Sequence, residues 1–186
     1  MRRIDTNLPG VYVLEPRVFS DARGFFAETY NARRFAELGI TGEFVQDNHS
    51  RSVLGTLRGL HYQLEHPQAK LCRVVVGEVL DVAVDIRHGS PTFGQSYSVL
   101  LTAENKRQIY IPRGFAHGFV VLSDVAEFLY KCDDFYYGDD DHGVAWDDPK
   151  LGIDWSITQP LLSEKDRHNP RLADVAPTSL PKYQPG

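Results

Sequence analysis

Residues 71–86, LCRVVVGEVLDVAVDI, are an almost continuous β-branched and apolar stretch cut once, at Gly77-Glu78. The stretch reads as two short strands joined by a turn. In the second strand Leu80, Val82, Val84 and Ile86 share one face, and Val79, Asp81, Ala83 and Asp85 share the other, because successive side chains of a strand alternate. The turn cluster HGSPTFG follows at 88–94, and residues 97–102, 108–111, 118–122 and 127–131 are further strand candidates. Many short strands at close spacing predict a sandwich or barrel. One early helix is predicted over 31–40. Asn31 caps it, Phe35 and Leu38 lie on one face, and Gly39 ends it.

The chain has 186 residues, a length that suits one domain with one substantial core, so residues 1–186 are read as a single unit. From about 168 onward Pro170, Pro177, Pro181 and Pro185 predict an irregular tail lying on the surface or on a partner subunit. The net charge of −5 argues against general nucleic-acid binding, which needs a basic face, but leaves room for a phosphorylated small ligand. No segment approaches the roughly 20 apolar residues of a membrane span. The N-terminus lacks the apolar core of a signal peptide, so cytoplasm is the expected compartment. Cys72 and Cys132 are too few and too far apart in sequence for a disulfide framework or a cysteine-based zinc site.

Three segments put cationic or titratable groups into apolar strand patterns. In Arg58-Gly-Leu-His61-Tyr-Gln63 a regular strand would send His61 and Gln63 to one side and Arg58 to the other, unless a bulge at Gly59 re-aims it. Lys70 enters the strand LCRVVV, and His117 sits in the turn IPRGFAHGF, residues 111–119. Taken singly, each has a structural reading: His61 and His117 as hydrogen-bonded core histidines, Lys70 as an edge-strand lysine, Asp81 as a solvated carboxylate. Taken together they point to an enclosed polar site, because buried charge is costly unless paired. A neutral imidazole near a lysine and a carboxylate suits general-base chemistry.

Pro112-x-Gly-x-x-His117 resembles the second signature motif of the cupin superfamily. Metal-binding cupins combine that histidine with an earlier His-x-His and a glutamate. Here the matching segment is His61-Tyr62-Gln63, and an amide is a poor transition-metal ligand beside imidazole, so no metal is expected.

Ten segments in order over nearly the whole chain add up to a more specific resemblance. They are DARGFF (21–26), FVQDNHS (44–50), LRGLHYQ (57–63), QAKL (68–71), GEVLDVAVDIR (77–87), GSPTFG (89–94), YIPRGFAHGF (110–119), YKC (130–132), DPKLGIDW (148–155) and LSEKD (162–166). The chain resembles the dTDP-4-dehydrorhamnose 3,5-epimerase family. The resemblance implies a mainly β, cupin-like jelly-roll barrel (a double-stranded β-helix) with a few short helices. It also implies a homodimer, no cofactor, and a dTDP-linked 4-keto-6-deoxy sugar as substrate, inverted at C3 and C5 through an enolate. Relatives that invert one centre, or move the ketone, share that chemistry and stand as the alternative.

Carried over by position, His61 resembles the base, Asp166 the carboxylate that orients it, Lys70 the cation beside the developing oxyanion and substrate, and Tyr130 the acid on the opposite face. Arg23, Glu28, Gln46, Asp47, Asn48 and Arg58 resemble the nucleotide-binding set, with some early residues reaching into the neighbouring subunit. His117, Tyr136, Asp141 and Lys165 resemble further substrate contacts, with Asp81 in support. Tyr137 competes with Tyr136 for its place. Asp141, where the family commonly has Glu, sits in an Asp139-Asp140-Asp141 run that reads equally as a solvated acidic turn.

Overall fold

The structure, a computed structural model, describes residues 1–185. It is mainly β. In chain order the strands are β1 (Arg2–Asp5), β2 (Tyr12–Glu15), β3 (Val18–Asp21), β4 (Gly24–Ala27), β5 (Gln46–Val53), β6 (Leu57–Gln63), β7 (Lys70–Val76), β8 (Glu78–Asp85), β9 (Ser96–Thr102), β10 (Gln108–Ile111), β11 (Phe115–Val121), β12 (Val125–Cys132) and β13 (Asp141–Gly143). One helix, α1 (Ala32–Glu37), precedes β5. A six-stranded antiparallel sheet in the order β1-β2-β10-β7-β12-β5 faces a five-stranded one in the order β13-β6-β11-β8-β9. The hairpin β3-β4 stands apart from both.

The 71–86 stretch divides where expected, into β7 and β8, with Gly77 between them at φ +71. A Cβ there would lie 2.0 Å from the Val125 carbonyl oxygen, so the turn needs glycine for space as well as for backbone conformation. Both faces of β8 are buried. Val79 and Ala83 pack into the core between the sheets. Val82, Val84 and Ile86 pack on the other side beneath Leu151, Trp155, Leu172 and Leu180. The five-stranded sheet is therefore an inner layer, and Asp81 is fully buried rather than solvated.

The C-terminal segment supplies the covering layer. From about 168 it forms short 3-10 turns on the chain's own barrel. The Asp148 carboxylate receives the Leu172 N–H, and the Ser179 carbonyl receives the Tyr62 hydroxyl.

The helix is shorter than its sequence pattern. Asn31 caps it through the Arg34 N–H at 3.3 Å, and the chain has left helical geometry by Gly39, at φ +87. Strands β1 to β5 escape the hydrophobic pattern. The hairpin β3-β4 is almost wholly exposed, and β5, QDNHSRSV, is a polar edge strand. Neither gives the apolar alternation by which strands are read from sequence.

Candidate active site

A cavity of ≈ 470 Å³ opens between the two sheets, lined by Arg58 and His61 of β6, Lys70 of β7, His117 and Phe119 of β11, Phe128 and Tyr130 of β12, and the segment 161–163 with Asp166. Its volume is that of a small-molecule site. The bulge explains how Arg58 and His61 share it. On β11 His117 pairs with His61 and Phe119 with Arg58, so two residues of β11 span three steps of β6. The extra residue turns Arg58 onto the His61 side. A Cβ on Gly59 would lie 2.5 Å from the Gly118 Cα, so the close approach of the two strands requires glycine.

The His61 ring donates or accepts through Nε2 at 2.5 Å from Asp166 Oδ1, and an ionised carboxylate fixes the proton on that nitrogen. Nδ1 is then left with its lone pair. Burial would raise the Asp166 carboxyl, but the hydrogen bond and charge of His61, the Ser163 hydroxyl and the Gly59 backbone hold it below the ordinary range. Asp166 is 3% exposed, and its own N–H donates to Ser163 Oγ at 3.1 Å. Ser163 thus fixes the turn that presents the carboxylate, a role that the segment LSEKD carries without advertising.

Tyr130 reaches the cavity from β12, opposite Cys72 of β7 in the ladder. Its phenol is pushed up to about 12, first by burial, then by the neighbouring Cys132 and Cys72, with Arg58 opposing. The Lys70 ammonium lies 6.0 Å from the Tyr130 ring centroid. His117 Nε2 sits 2.9 and 3.0 Å from the two oxygens of Asp81. One wall therefore carries an oriented imidazole on β6, and the other a phenol on β12 that keeps its proton, with the Lys70 ammonium from the adjacent strand β7. That set can remove a proton from carbon, stabilise the charge left on oxygen, and return a proton.

Of the residues carried over from sequence, the structure brings Arg58, His61, Lys70, His117, Tyr130 and Asp166 to this cavity, with Asp81 behind His117. Tyr136, Asp141 and Lys165 form a neighbouring cluster: Lys165 Nζ is 2.5 Å from Asp141 Oδ2, and the Tyr136 hydroxyl donates to Asp141 Oδ2 at 3.2 Å. Tyr137 turns the other way, stacked on His66 at 3.9 Å. Asp140 is a buried brace that accepts the N–H groups of Leu64, Glu65 and His66. The acidic run thus separates into one structural residue and one that faces a lysine.

Gln46 accepts the Tyr136 N–H at 3.0 Å and donates to Asn48 at 3.1 Å. Asp47 and Asn48 line a second cleft with Tyr30, Arg73 and Lys131. Arg23 and Glu28 do not reach the cavity of their own chain. Arg23 lies on the exposed hairpin paired with Asp21 at 2.6 Å, and Glu28 pairs with Arg34 at 2.8 Å. Phe119, from the segment 111–119 already singled out, stacks on Phe128 at 4.2 Å on the cavity wall, and Phe128 went unnoticed in the sequence. Phe128 stands two residues before Tyr130 on the same face of β12, which is the period-2 signal that could have found it.

Residues 5–174 match the family model described as dTDP-4-dehydrorhamnose 3,5-epimerase. A dTDP-4-dehydrorhamnose 3,5-epimerase of Pseudomonas aeruginosa is 59% identical over 170 residues, covering 90% of this chain and 94% of that protein. Its counterpart in Shigella flexneri is 56% identical, covering 94% and 98%. The crystal structure of dTDP-6-deoxy-D-glucose-3,5-epimerase from Legionella pneumophila, in complex with dTDP-4-keto-L-rhamnose, superposes with a TM-score of 0.97 at 51% identity, covering 99% of each chain.

Proposed function

The chain belongs to the dTDP-4-dehydrorhamnose 3,5-epimerase family, and from that premise we propose how its residues divide the reaction. The protein is an isomerase that inverts C3 and C5 of dTDP-4-dehydro-6-deoxy-D-glucose to give dTDP-4-dehydro-L-rhamnose, a step of dTDP-L-rhamnose biosynthesis. Both carbons flank the C4 ketone, so their hydrogens are acidic only because the charge left behind spreads onto O4.

In this reading the Nδ1 lone pair of His61 takes the proton, and the Asp166 carboxylate stabilises the imidazolium that forms. The Lys70 ammonium stabilises the charge at O4. Tyr130 returns a proton from the opposite side of the ring, and Arg58 holds the diphosphate as a planar fork. The observation that carries this assignment is the convergence of the His61–Asp166 pair, Lys70 and Tyr130 on one cavity. The chemistry runs on side chains alone, within one domain of residues 1–186, in the cytoplasm. No helix among the described residues is long and apolar enough to cross a membrane.

The direct test is incubation of the purified protein with dTDP-4-dehydro-6-deoxyglucose in D2O without added metal or nicotinamide, followed by NMR. Deuterium is expected at both C3 and C5. Exchange at neither position would reject the assignment, and exchange at one alone would favour the single-centre relatives.

The functional unit in this reading is a homodimer. On the hairpin Phe25 is 63% and Phe26 69% exposed, a costly display of apolar surface for an isolated subunit. Arg23 beside them lies away from the cavity that holds His61 and Tyr130 in its own chain. Docking of the hairpin on a second copy would cover both rings and bring Arg23 to the partner's site. Sedimentation is expected to give twice the chain mass, and the paired substitutions Phe25→Asp and Phe26→Asp are expected to return the monomer. A monomeric parent protein would sink this reading.

A further inference from the structure

At the wall of the cavity, the lining residue His117 meets two side chains that lie behind it, Asp81 and Cys72, around one point. Cys72 of β7, Asp81 of β8 and His117 of β11 are all buried, and one donor atom from each lies within 4.8 Å of the other two. His117 Nε2 is the common vertex, 2.9 and 3.0 Å from the Asp81 oxygens and 3.9 Å from Cys72 Sγ.

We propose that Cys72, Asp81 and His117 form a binding site for a soft divalent cation, with Zn2+ the best fit, and that the occupied site blocks the substrate cavity. The donors are one sulfur, one nitrogen and one carboxylate oxygen, a set suited to zinc rather than to magnesium or calcium. Tetrahedral zinc with Zn–N and Zn–S bonds of about 2.0 and 2.3 Å holds its donors roughly 3.3–3.8 Å apart. The two spacings from His117 Nε2, 2.9 Å to Asp81 and 3.9 Å to Cys72, fall on either side of that range, so small side-chain adjustments complete the site.

Charge argues in the same direction. Asp81 is 0% exposed, and among the described residues both of its oxygens depend on one ring nitrogen for a hydrogen bond. A fully buried carboxylate with so little compensation is an unusually costly group. On binding, the Cys72 thiol proton leaves to solvent and the imidazole proton passes from Nε2 to Nδ1 of His117, so that a dication, one carboxylate and one thiolate sum to zero charge. This set differs from the His61-Gln63-His117 arrangement of the cupin motifs: it shares only His117 with it and reaches behind it.

His117 is the one of the three that lines the cavity, directly opposite His61 in the ladder, so the proposed block acts through its ring. The binding half of the proposal stands apart from the catalytic assignment; the blocking half rests on it.

The test begins with chelator-treated protein titrated with Co2+, which reports a thiolate ligand by intense near-ultraviolet charge-transfer absorption. One equivalent is expected to bind with that band, and one equivalent of Zn2+ to remove it. The band is expected to vanish in Cys72→Ala and to persist in Cys132→Ala. If Cys72→Ala fails to fold, Cys72→Val fills the space and serves instead. In turnover, Zn2+ is expected to raise KM at least ten-fold in the parent protein, reversibly with EDTA. In the Cys72 variant, Zn2+ is expected to leave the variant's own metal-free KM unchanged. Absence of the band in the parent, its survival without Cys72, or its loss with Cys132 alone overturns the site. Stoichiometric binding with an unchanged KM overturns the blocking role while leaving the site and the epimerase reading intact.

Discussion

Replacement of His61 by alanine is expected to lower kcat by about 10³-fold and to abolish deuterium exchange at both carbons together. A positioned base contributes roughly 10²–10⁴-fold, and no second group in the cavity combines a free lone pair with a buried anionic partner at 2.5 Å. His117 lies opposite in the ladder, but its Nε2 already faces Asp81. The variant should fold, because His61 is only partly buried and its removal leaves no void in the core. Near-normal exchange by a folded His61→Ala protein, measured by NMR in D2O, would show that the base has been misassigned. A companion Asp166→Asn substitution keeps the shape but loses the charge that stabilises the imidazolium, so it should fall part of the way toward the alanine variant.

Tyr130→Phe is the second large effect, and it should split the reaction rather than stop it. The ring stays, so cavity shape is kept and only the donated proton is lost. Formation of dTDP-4-dehydro-L-rhamnose is expected to drop about 10²-fold or more, while exchange of solvent deuterium at carbon continues, since His61 can still remove a proton and return one to the same face. Loss of exchange and of net inversion in equal proportion would contradict the assignment. The direction of the phenol's shift adds a pH signature. Burial and nearby thiols hold Tyr130 up to about 12, above the ordinary value near 10, so its protonated, donating form persists as pH rises through the usual phenol range. Tyr110 is pushed up to about 12 as well, so spectrophotometric titration should show two tyrosines ionising near 12 in the parent protein and one fewer in Tyr130→Phe.

The hydrophobic pattern located the strands that are buried and little else. β7 to β12 were legible because most of their apolar residues are buried. β3, β4 and β5 were not, because an exposed hairpin and a polar edge strand have no inner face to write into the sequence. The catalytic set shows the same division. His61 and Arg58 could be singled out as charged groups in an apolar run, but their sharing of one side depended on the Gly59 bulge, which alternation alone would have denied. Asp166 could be matched by resemblance, yet nothing local marks it; it lies 105 residues from the imidazole it serves. In the sequence Cys72 reads only as one of two cysteines too far apart for a disulfide framework or a cysteine-based zinc site, because its neighbours Asp81 and His117 come from other strands.

That last separation bears on how the molecule is made. The barrel's final long strand, β12, ends at Cys132, while the carboxylate that activates the imidazole arrives with the covering layer more than thirty positions later. During synthesis, the sheets can close around a cavity holding His61, Lys70 and Tyr130 before Asp166 has left the ribosome. The pocket and the partner that orients its base are thus built by different layers of the fold, and the imidazole gains its carboxylate only when the last segment docks.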